Sequence, residues 1–300
     1  MTANRSVRSA PPPLLPLMVQ AAVEAALAED LGLQGDITTN ATVAASTRAE
    51  AVIAARKPGV IAGLQLAEAA FRALDPNVRF EAAVSDGASV EKASVAARIS
   101  GNARALLTAE RVALNYMGRL SGIATLTQQY VKAIQGTPAK IADTRKTTPG
   151  LRAFEKYAVR CGGGQNHRTG LFDAVLIKDN HIVAAGGIAE AVIAARAAAG
   201  HMVKIEVEVD TLEQLDEVLQ HKIDAVLLDN MSPDQLRAAV KRVAGRCLTE
   251  ASGGVNLETV RAIAESGVDM ISVGALTHSA SVLDLGLDFL AQPKPRNKSA

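Results

Sequence analysis

Four cations and a histidine stand close to two short apolar runs in the middle of the chain. Arg145 and Lys146 follow Ala139–Ala142, His167 and Arg168 precede Ala174–Ile177, and Lys178 follows it. Arginine grips a carboxylate or phosphate through paired hydrogen bonds, whereas lysine acts as a point charge. Further on stand Glu206, Glu208 and Asp229, whose oxygens accept hydrogen bonds from sugar hydroxyls or hold magnesium. Cations outnumber acids eight to four over residues 140–181, and acids outnumber cations eight to two over 203–230. That division suits a ligand with several anionic groups around a polyhydroxyl centre. Ser252-Gly253-Gly254 and Val273-Gly274-Ala275 add glycines, past which backbone N–H groups can cradle a phosphate. The loop Cys161-Gly162-Gly163-Gly164-Gln165-Asn166-His167-Arg168 spends three glycines in a row, which a plain scaffold loop rarely needs.

Each cluster alone is weak, because polar loops follow strands in any α/β protein and glycine serves ordinary turns. Their common placement carries more weight. Short β-rich runs at Ala139–Ala142, Ala174–Ile177, Val203–Val207, Ala225–Leu228, Arg246–Thr249 and Met270–Val273 alternate with helical patterns, and each leads into a polar cluster, Thr144 included. The last four begin 22, 21 and 24 residues apart. This is the rhythm of parallel α/β folds, whose sites form on the rim where strands end. Six strands fall short of a full barrel, so an incomplete (β/α) barrel is expected.

The first half is scaffold in character. Helices are expected from Leu17 to Leu31 and Leu64 to Leu74, with strands at Ala49–Ala55, Val78–Val84 and Val95–Ile99, and a turn at Gly35–Thr39. Two helices follow, Ala103–Leu120 and Ile123–Ile134. Arg111, Asn115 and Arg119 share one side of the first, and periodicity favours a solvated face for them over a site. The expected organisation is a flexible tail over 1–16, an amino-terminal α/β sandwich-like domain with connecting helices over 17–135, the barrel over 136–290 and a second tail over 291–300.

Composition narrows the function classes. The 300 residues are 48% hydrophobic but only 3% aromatic, with no Trp, which argues against a stacking platform for single-stranded nucleic acid. A net charge of +1 provides no general attraction for nucleic acid or anionic membrane. No run of 18 apolar residues suggests a membrane span, and Pro11, Pro12 and Pro13 break any secretory h-region. Two Cys imply a reducing, cytoplasmic compartment. The five His show no short ligand pairing, so a structural metal is not expected.

The motifs Glu29-Asp30-Leu31-Gly32, Gly35-Asp36-Ile37-Thr38-Thr39, Ala109–Asn115, Ser121–Thr125, Asp143–Gly150, Gly162–Arg168 and Lys178–His181 resemble the quinolinate phosphoribosyltransferases, the carboxylating nicotinate-nucleotide pyrophosphorylases. So do the Glu206, Asp229, Ser252 and Gly274 clusters. The resemblance implies conversion of quinolinate and phosphoribosyl pyrophosphate to nicotinate mononucleotide, carbon dioxide and pyrophosphate, with Mg²⁺, in NAD biosynthesis. It also implies a homodimer in which Arg111 reaches the partner's site, against the solvated-face reading. On this basis Arg111, Thr144, Arg145, Lys146, His167, Arg168 and Lys178 bind the anions. Glu208 and Asp229 steady the ribose and an oxocarbenium-like transition state, and Glu206 competes with Glu208 for that role. Lys146, Lys178, Glu208 and Asp229 are the expected catalytic groups. Three alternatives stand beside this: a Schiff-base lyase using Lys178, a non-catalytic sensor of phosphorylated metabolites, and a paralogue of the same fold with another acceptor.

Overall fold

A computed structural model describes residues 11–290, which divide into two compact units. One runs through Thr125 and resumes at Ser281; the other is Leu126–Ala280. The expected tails over 1–10 and 291–300 lie outside the described residues.

The first unit contains α1 (Pro16–Leu31), α2 (Ile37–Thr42), β1 (Arg48–Ala55), β2 (Gly59–Val60), α3 (Leu64–Leu74), β3 (Arg79–Ala82), β4 (Ser89–Val90), β5 (Val95–Asn102) and most of α4 (Ala103–Ala133). The second holds β6 (Lys140–Ala142), α5 (Arg152–Cys161), β7 (Val175–Ile177), α6 (Asp179–Ala185), α7 (Ile188–Ala198), β8 (Ile205–Val209), α8 (Leu212–Val218), β9 (Ala225–Asp229), α9 (Pro233–Val243), β10 (Leu248–Ser252), α10 (Val260–Ala264), β11 (Met270–Ser272) and α11 (Ala275–His278). The chain then re-enters the first unit as β12 (Leu285–Phe289).

In the first unit an antiparallel sheet runs β12-β1-β5-β3, and α1 packs on α3. Val19, Val23 and Leu27 recur every fourth residue and form the buried stripe of α1. The structure differs from the sequence expectations in four places. The tail ends before residue 16: Leu14 is buried and its N–H donates to Gln65 Oε1, while Pro16 opens α1 at the position where its missing N–H costs nothing. The turn at Gly35–Thr39 becomes α2, because Asp36 caps it by accepting the Thr39 N–H at 2.8 Å. The two helices meeting at Ser121-Gly122 are one, α4. Gly122 there marks a close approach instead of a break, since a Cβ would strike the backbone of Ser281. Finally, residues 281–290 belong with the first unit and not with the barrel, because β12 pairs with β1; the other division falls at 125/126, inside α4, against an expected 135/136.

The second unit is the incomplete barrel. Its six parallel strands lie in the order β6-β11-β10-β9-β8-β7, with Gln165 adding a bridge to Ala142 beside the β6 edge. Helices cover the outer face, so the outward strand residues are aliphatic and buried, as in Ile205, Val207 and Val209 of β8. The capping boxes at Thr211 and Ser232 start α8 and α9 directly after the loops that follow β8 and β9. Short strands and promptly capped helices keep those loops at one rim.

Candidate active site

Strand alternation builds the site. Side chains two apart share a face, so each parallel strand directs a pair of residues inward, and the second of each pair sits at its carboxyl end. The pairs are Leu176 and Lys178, Glu206 and Glu208, Leu227 and Asp229, and Glu250 and Ser252, with Ser272 from β11. All of these except Glu206 line one cavity of about 360 Å³, joined by Thr144, Arg145, Lys146, His167 and Arg168 from the rim loops. The inner members are apolar or buried acids; the outer members are Lys178, Glu208, Asp229 and Ser252, which form a polar mouth.

The rim loops are held from beneath by a buried ion pair. Asp143, fully buried at the end of β6, receives the Lys156 ammonium from α5, the Asn166 amide at 2.6 Å and the His167 N–H at 2.9 Å. Lys156 Nζ also donates to the His167 carbonyl at 3.0 Å. The 165–168 segment is thereby laid along β6, with Gln165 N–H on the Ile141 carbonyl and Asp143 N–H on the Gln165 carbonyl. Two of the three glycines have their use here. Gly163 has φ of +92°, and a Cβ on Gly164 would crowd Val159 and Thr127 at 2.7 and 2.9 Å.

The electrostatics of the cavity favour an anion. Burial and the neighbouring Arg145 charge lower the pKa of the Arg168 guanidinium. Two like charges share one pocket, and an anion between them relieves both. Arg145 Nε and Arg168 Nε are buried without a hydrogen-bond partner among the described residues, which leaves donors for a ligand. Lys178 Nζ is held by Glu208, so a cation and an acid meet at the mouth.

His167 lies in the cavity wall against two inner acids, Glu250, which lines the cavity with it, and Glu206, which does not. Its Nε2 is 3.0 Å from Glu206 Oε2 and 3.6 Å from Glu250 Oε1. Its Nδ1 accepts the Arg168 N–H at 2.8 Å. Burial would lower the imidazole pKa, but the Glu206 hydrogen bond and the two acid charges outweigh it and the net shift is upward. These three residues place donor atoms within 4.8 Å of one another, although nothing in their spacing along the chain pairs them.

The predicted residues thus fall into two groups. Thr144, Arg145, Lys146, His167, Arg168, Lys178, Glu208, Asp229 and Ser252 come together in the cavity. Gly253, Gly254, Val273, Gly274 and Ala275 sit in the two adjoining rim loops without lining it; Gly274 lies against the Lys146 side chain, where a Cβ would be 3.2 Å from Cδ. Glu206 competes poorly for a ribose: it is buried on His167 and does not line the cavity. Of the three stripe residues on α4 in the first unit, Arg111 and Asn115 are exposed but Arg119 is half-buried, so the solvated face holds only in part; Arg111 does not line this cavity. Sequence reasoning missed Glu250, Ser272, Asp143 and Lys156 as parts of the site. Glu250 carried a usable signal: it precedes Ser252 by two residues, as Glu206 precedes Glu208.

Two family models match the chain: quinolinate phosphoribosyl transferase, N-terminal domain, over residues 36–121, and quinolinate phosphoribosyl transferase, C-terminal domain, over 123–288. The chain is 48% identical over 260 residues to a probable nicotinate-nucleotide pyrophosphorylase [carboxylating] of Bacillus subtilis, covering 87% of this chain and 89% of that one. It is 48% identical over 274 residues to the nicotinate-nucleotide pyrophosphorylase [carboxylating] of Mycobacterium leprae, covering 89% and 95%. Among solved structures, the nicotinate-nucleotide pyrophosphorylase from Francisella tularensis superposes with a TM-score of 0.89 at 41% identity, covering 93% of this chain and 98% of that one.

Proposed function

The chain belongs to the quinolinate phosphoribosyltransferase family, and from that premise we propose that the cavity at the barrel rim is where its reaction takes place. The activity is that of a carboxylating nicotinate-nucleotide pyrophosphorylase: quinolinate and phosphoribosyl pyrophosphate yield nicotinate mononucleotide, carbon dioxide and pyrophosphate. The observation that supports the cavity is its pairing of Arg145 and Arg168, each with a buried unpartnered Nε, beside Lys146 and Lys178. A pyridine diacid brings two carboxylates to that cluster, and the guanidinium forks match them.

The roles follow from chemistry. Arg145, Arg168 and Lys178 hold the diacid, and His167 packs beside them. The ring nitrogen forms a bond to the anomeric carbon as the bond to pyrophosphate breaks, so no protein nucleophile is required. Positive charge develops on the sugar, and Glu208 and Asp229, on neighbouring strands at the mouth, offset it and accept from ribose hydroxyls. Lys178, freed from Glu208 when a sugar hydroxyl takes that carboxylate, can turn to the acid. The quaternised ring then stabilises the carbanion left at C2 as carbon dioxide departs, and a proton closes that position. Lys146, Ser252 and the Gly253-Gly254 and Val273-Gly274-Ala275 loops flank the donor phosphates.

The oxygen donors present fit Mg²⁺, which takes one or two carboxylates together with phosphate oxygens. Asp229 would hold it with the donor's own diphosphate. Bound there, the ion would supply positive charge against the diphosphate.

The test is release of pyrophosphate and carbon dioxide that depends on quinolinate, with nicotinate as control acceptor. Equal turnover of nicotinate would move the reading to a relative with a different acceptor. A Schiff-base lyase is not favoured: Lys178 is paired with Glu208, and the relatives bear the name of nicotinate-nucleotide pyrophosphorylases.

We also infer a homodimer in which Arg111, exposed on α4, completes the site of the second copy. Arg111→Ala and Lys178→Ala are each expected to be nearly inactive yet folded. Mixed after refolding or co-expression, they should recover roughly a quarter of wild-type activity, because half of random pairs are hybrids and each hybrid has one intact site. No recovery on mixing would place Arg111 outside the partner's site. For the compartment we infer the cytoplasm, in keeping with Cys161 and Cys247 forming no disulfide. Among the described residues, no single helix is long and apolar enough to cross a membrane.

A further inference from the structure

Behind the anion pocket, two carboxylates share one imidazole. Glu206 on β8 and Glu250 on β10 both lie within reach of His167 Nε2, at 3.0 and 3.6 Å. Nδ1 of the same ring accepts the Arg168 N–H, so the network assigns the ring a single proton, on Nε2. One N–H therefore serves two buried acids. Glu206 Oε1 is buried without a partner, and the Glu250 carboxylate, 4% exposed, receives only the Ser272 hydroxyl besides. Two ionised carboxylates beside one neutral ring in so dry a space repel each other, which favours a proton on one of them. The cluster is short by one proton.

We propose that Glu250 is a proton-linked positioning residue for the pyridine diacid: it takes up one proton from solvent as the dianion binds, and so removes a negative charge from the cavity wall. The inference rests on the placement of the diacid at Arg145 and Arg168. Glu250 lines the same cavity as those cations, so an ionised Glu250 repels the incoming carboxylates and a protonated one does not. The proton adds to a carboxylate oxygen, and no other bond forms or breaks.

The groups facing Glu250 oppose one another, and the upward pushes prevail. Burial first, and then the Glu206 charge, push the Glu250 carboxyl up to about 7; His167 and the Ser272 hydroxyl pull it down, and Asp143 adds a smaller upward push. Lys156 neutralises Asp143 from α5. Arg145, Lys146, Arg168, Lys178, Glu208 and Asp229 face the cavity from the rim. A divalent ion at His167, Glu206 and Glu250 is disfavoured by Arg168 beside the ring and by Lys156 beneath it. The direction of linkage follows: the free site loses its proton as pH rises through about 7, whereas the dianion-bound site retains it to higher pH. Quinolinate affinity is therefore full below 7 and declines above it.

The experiment is calorimetric titration of quinolinate into the whole enzyme at pH 8, in buffers of different ionisation enthalpy. The wild type is expected to take up close to one proton per quinolinate, with affinity falling up to about tenfold per pH unit above 7. Glu250→Gln, which keeps an acceptor for Ser272, is expected to take up almost none and to bind with an affinity that is flat from pH 6.5 to 8.5. Equal uptake in wild type and Glu250→Gln would overturn the assignment, as would no uptake in the wild type. Should the variant fail to fold, the wild-type infrared difference spectrum decides: binding must raise a protonated-carboxyl band, and uptake without that band puts the proton on the imidazole instead. Arg168→Ala separates the premise from the proposal. Undiminished quinolinate binding in that variant removes the placement of the diacid; binding that is lost there but unlinked to protons in the wild type removes only the role of Glu250.

Discussion

Arg168→Ala is expected to weaken quinolinate binding by about 2–5 kcal/mol, on the order of thirty- to several-thousand-fold. Arg168 is held in place before any ligand arrives. Its guanidinium donates to the Ala174 carbonyl at 3.2 Å, its backbone N–H to His167 Nδ1, and its Nε is buried without a partner among the described residues. A preset donor loses little entropy on binding, so its removal costs close to the full charge-assisted interaction. Half-burial places the effect below what a fully dry pair would show. Arg168→Lys should recover only part of the loss, because an ammonium cannot fork onto a carboxylate. Direct titration with quinolinate measures both variants, and an unchanged melting temperature separates lost binding from lost folding. Wild-type affinity in Arg168→Ala would remove the diacid from this pocket.

Asp143→Ala should be the most destabilising change in the barrel. It strands the Lys156 ammonium in a site where both side chains are nearly inaccessible, and it removes the acceptor of the Asn166 amide and the His167 N–H. Breaking such a pair from one side costs about 3–5 kcal/mol. For a unit of this size that is a fall of roughly 6–20 °C in melting temperature. Activity should fall further than stability predicts, because the same bonds set the path of residues 165–168 and hence the aim of His167 and Arg168. The double variant Asp143→Ala with Lys156→Met leaves neither charge of the pair stranded, so it should melt higher than Asp143→Ala alone while remaining inactive. A melting temperature within a degree or two of wild type for Asp143→Ala would show that the pair is hydrated and carries no such load. Differential scanning calorimetry on the whole enzyme reads both variants.

Much of the barrel and its rim was legible one residue at a time. The β-rich runs that begin near 139, 174, 203, 225, 246 and 270 all became strands of the parallel sheet, within a few residues of the expected edges. The last inward side chain of a strand falls at the rim, and Lys178, Asp229 and Ser252 were found in this way, whereas Arg145 reaches the cavity from the loop after β6. Gly122 misled for a local reason. A glycine inside a helical pattern reads as a stop, and only the nearby Ser281 backbone explains why it stays in α4. The tail misled similarly: three prolines suggest a flexible tail, but Leu14 finds a buried seat and Gln65.

What lies deeper was not legible, because burial and charge pairing depend on strand order. Glu206 and Glu208 are indistinguishable by type and spacing. They differ because one faces His167 in the interior and the other meets Lys178 at the mouth. Lys156 is one of eight cations over residues 140–181, and nothing in the sequence sets it apart from the others before β6 brings Asp143 against it. Glu250 is ordinary as a letter in the chain; the parallel register that sets β10 beside β9, and β9 beside β8, brings it to the imidazole of a loop more than eighty residues away. Period and composition thus suffice for which residues reach the rim, because alternation acts between neighbours along one strand. Which of them are buried, paired or protonated is a property of the assembled sheet, because solvation and Coulomb energies depend on distances that exist only once the six strands lie side by side.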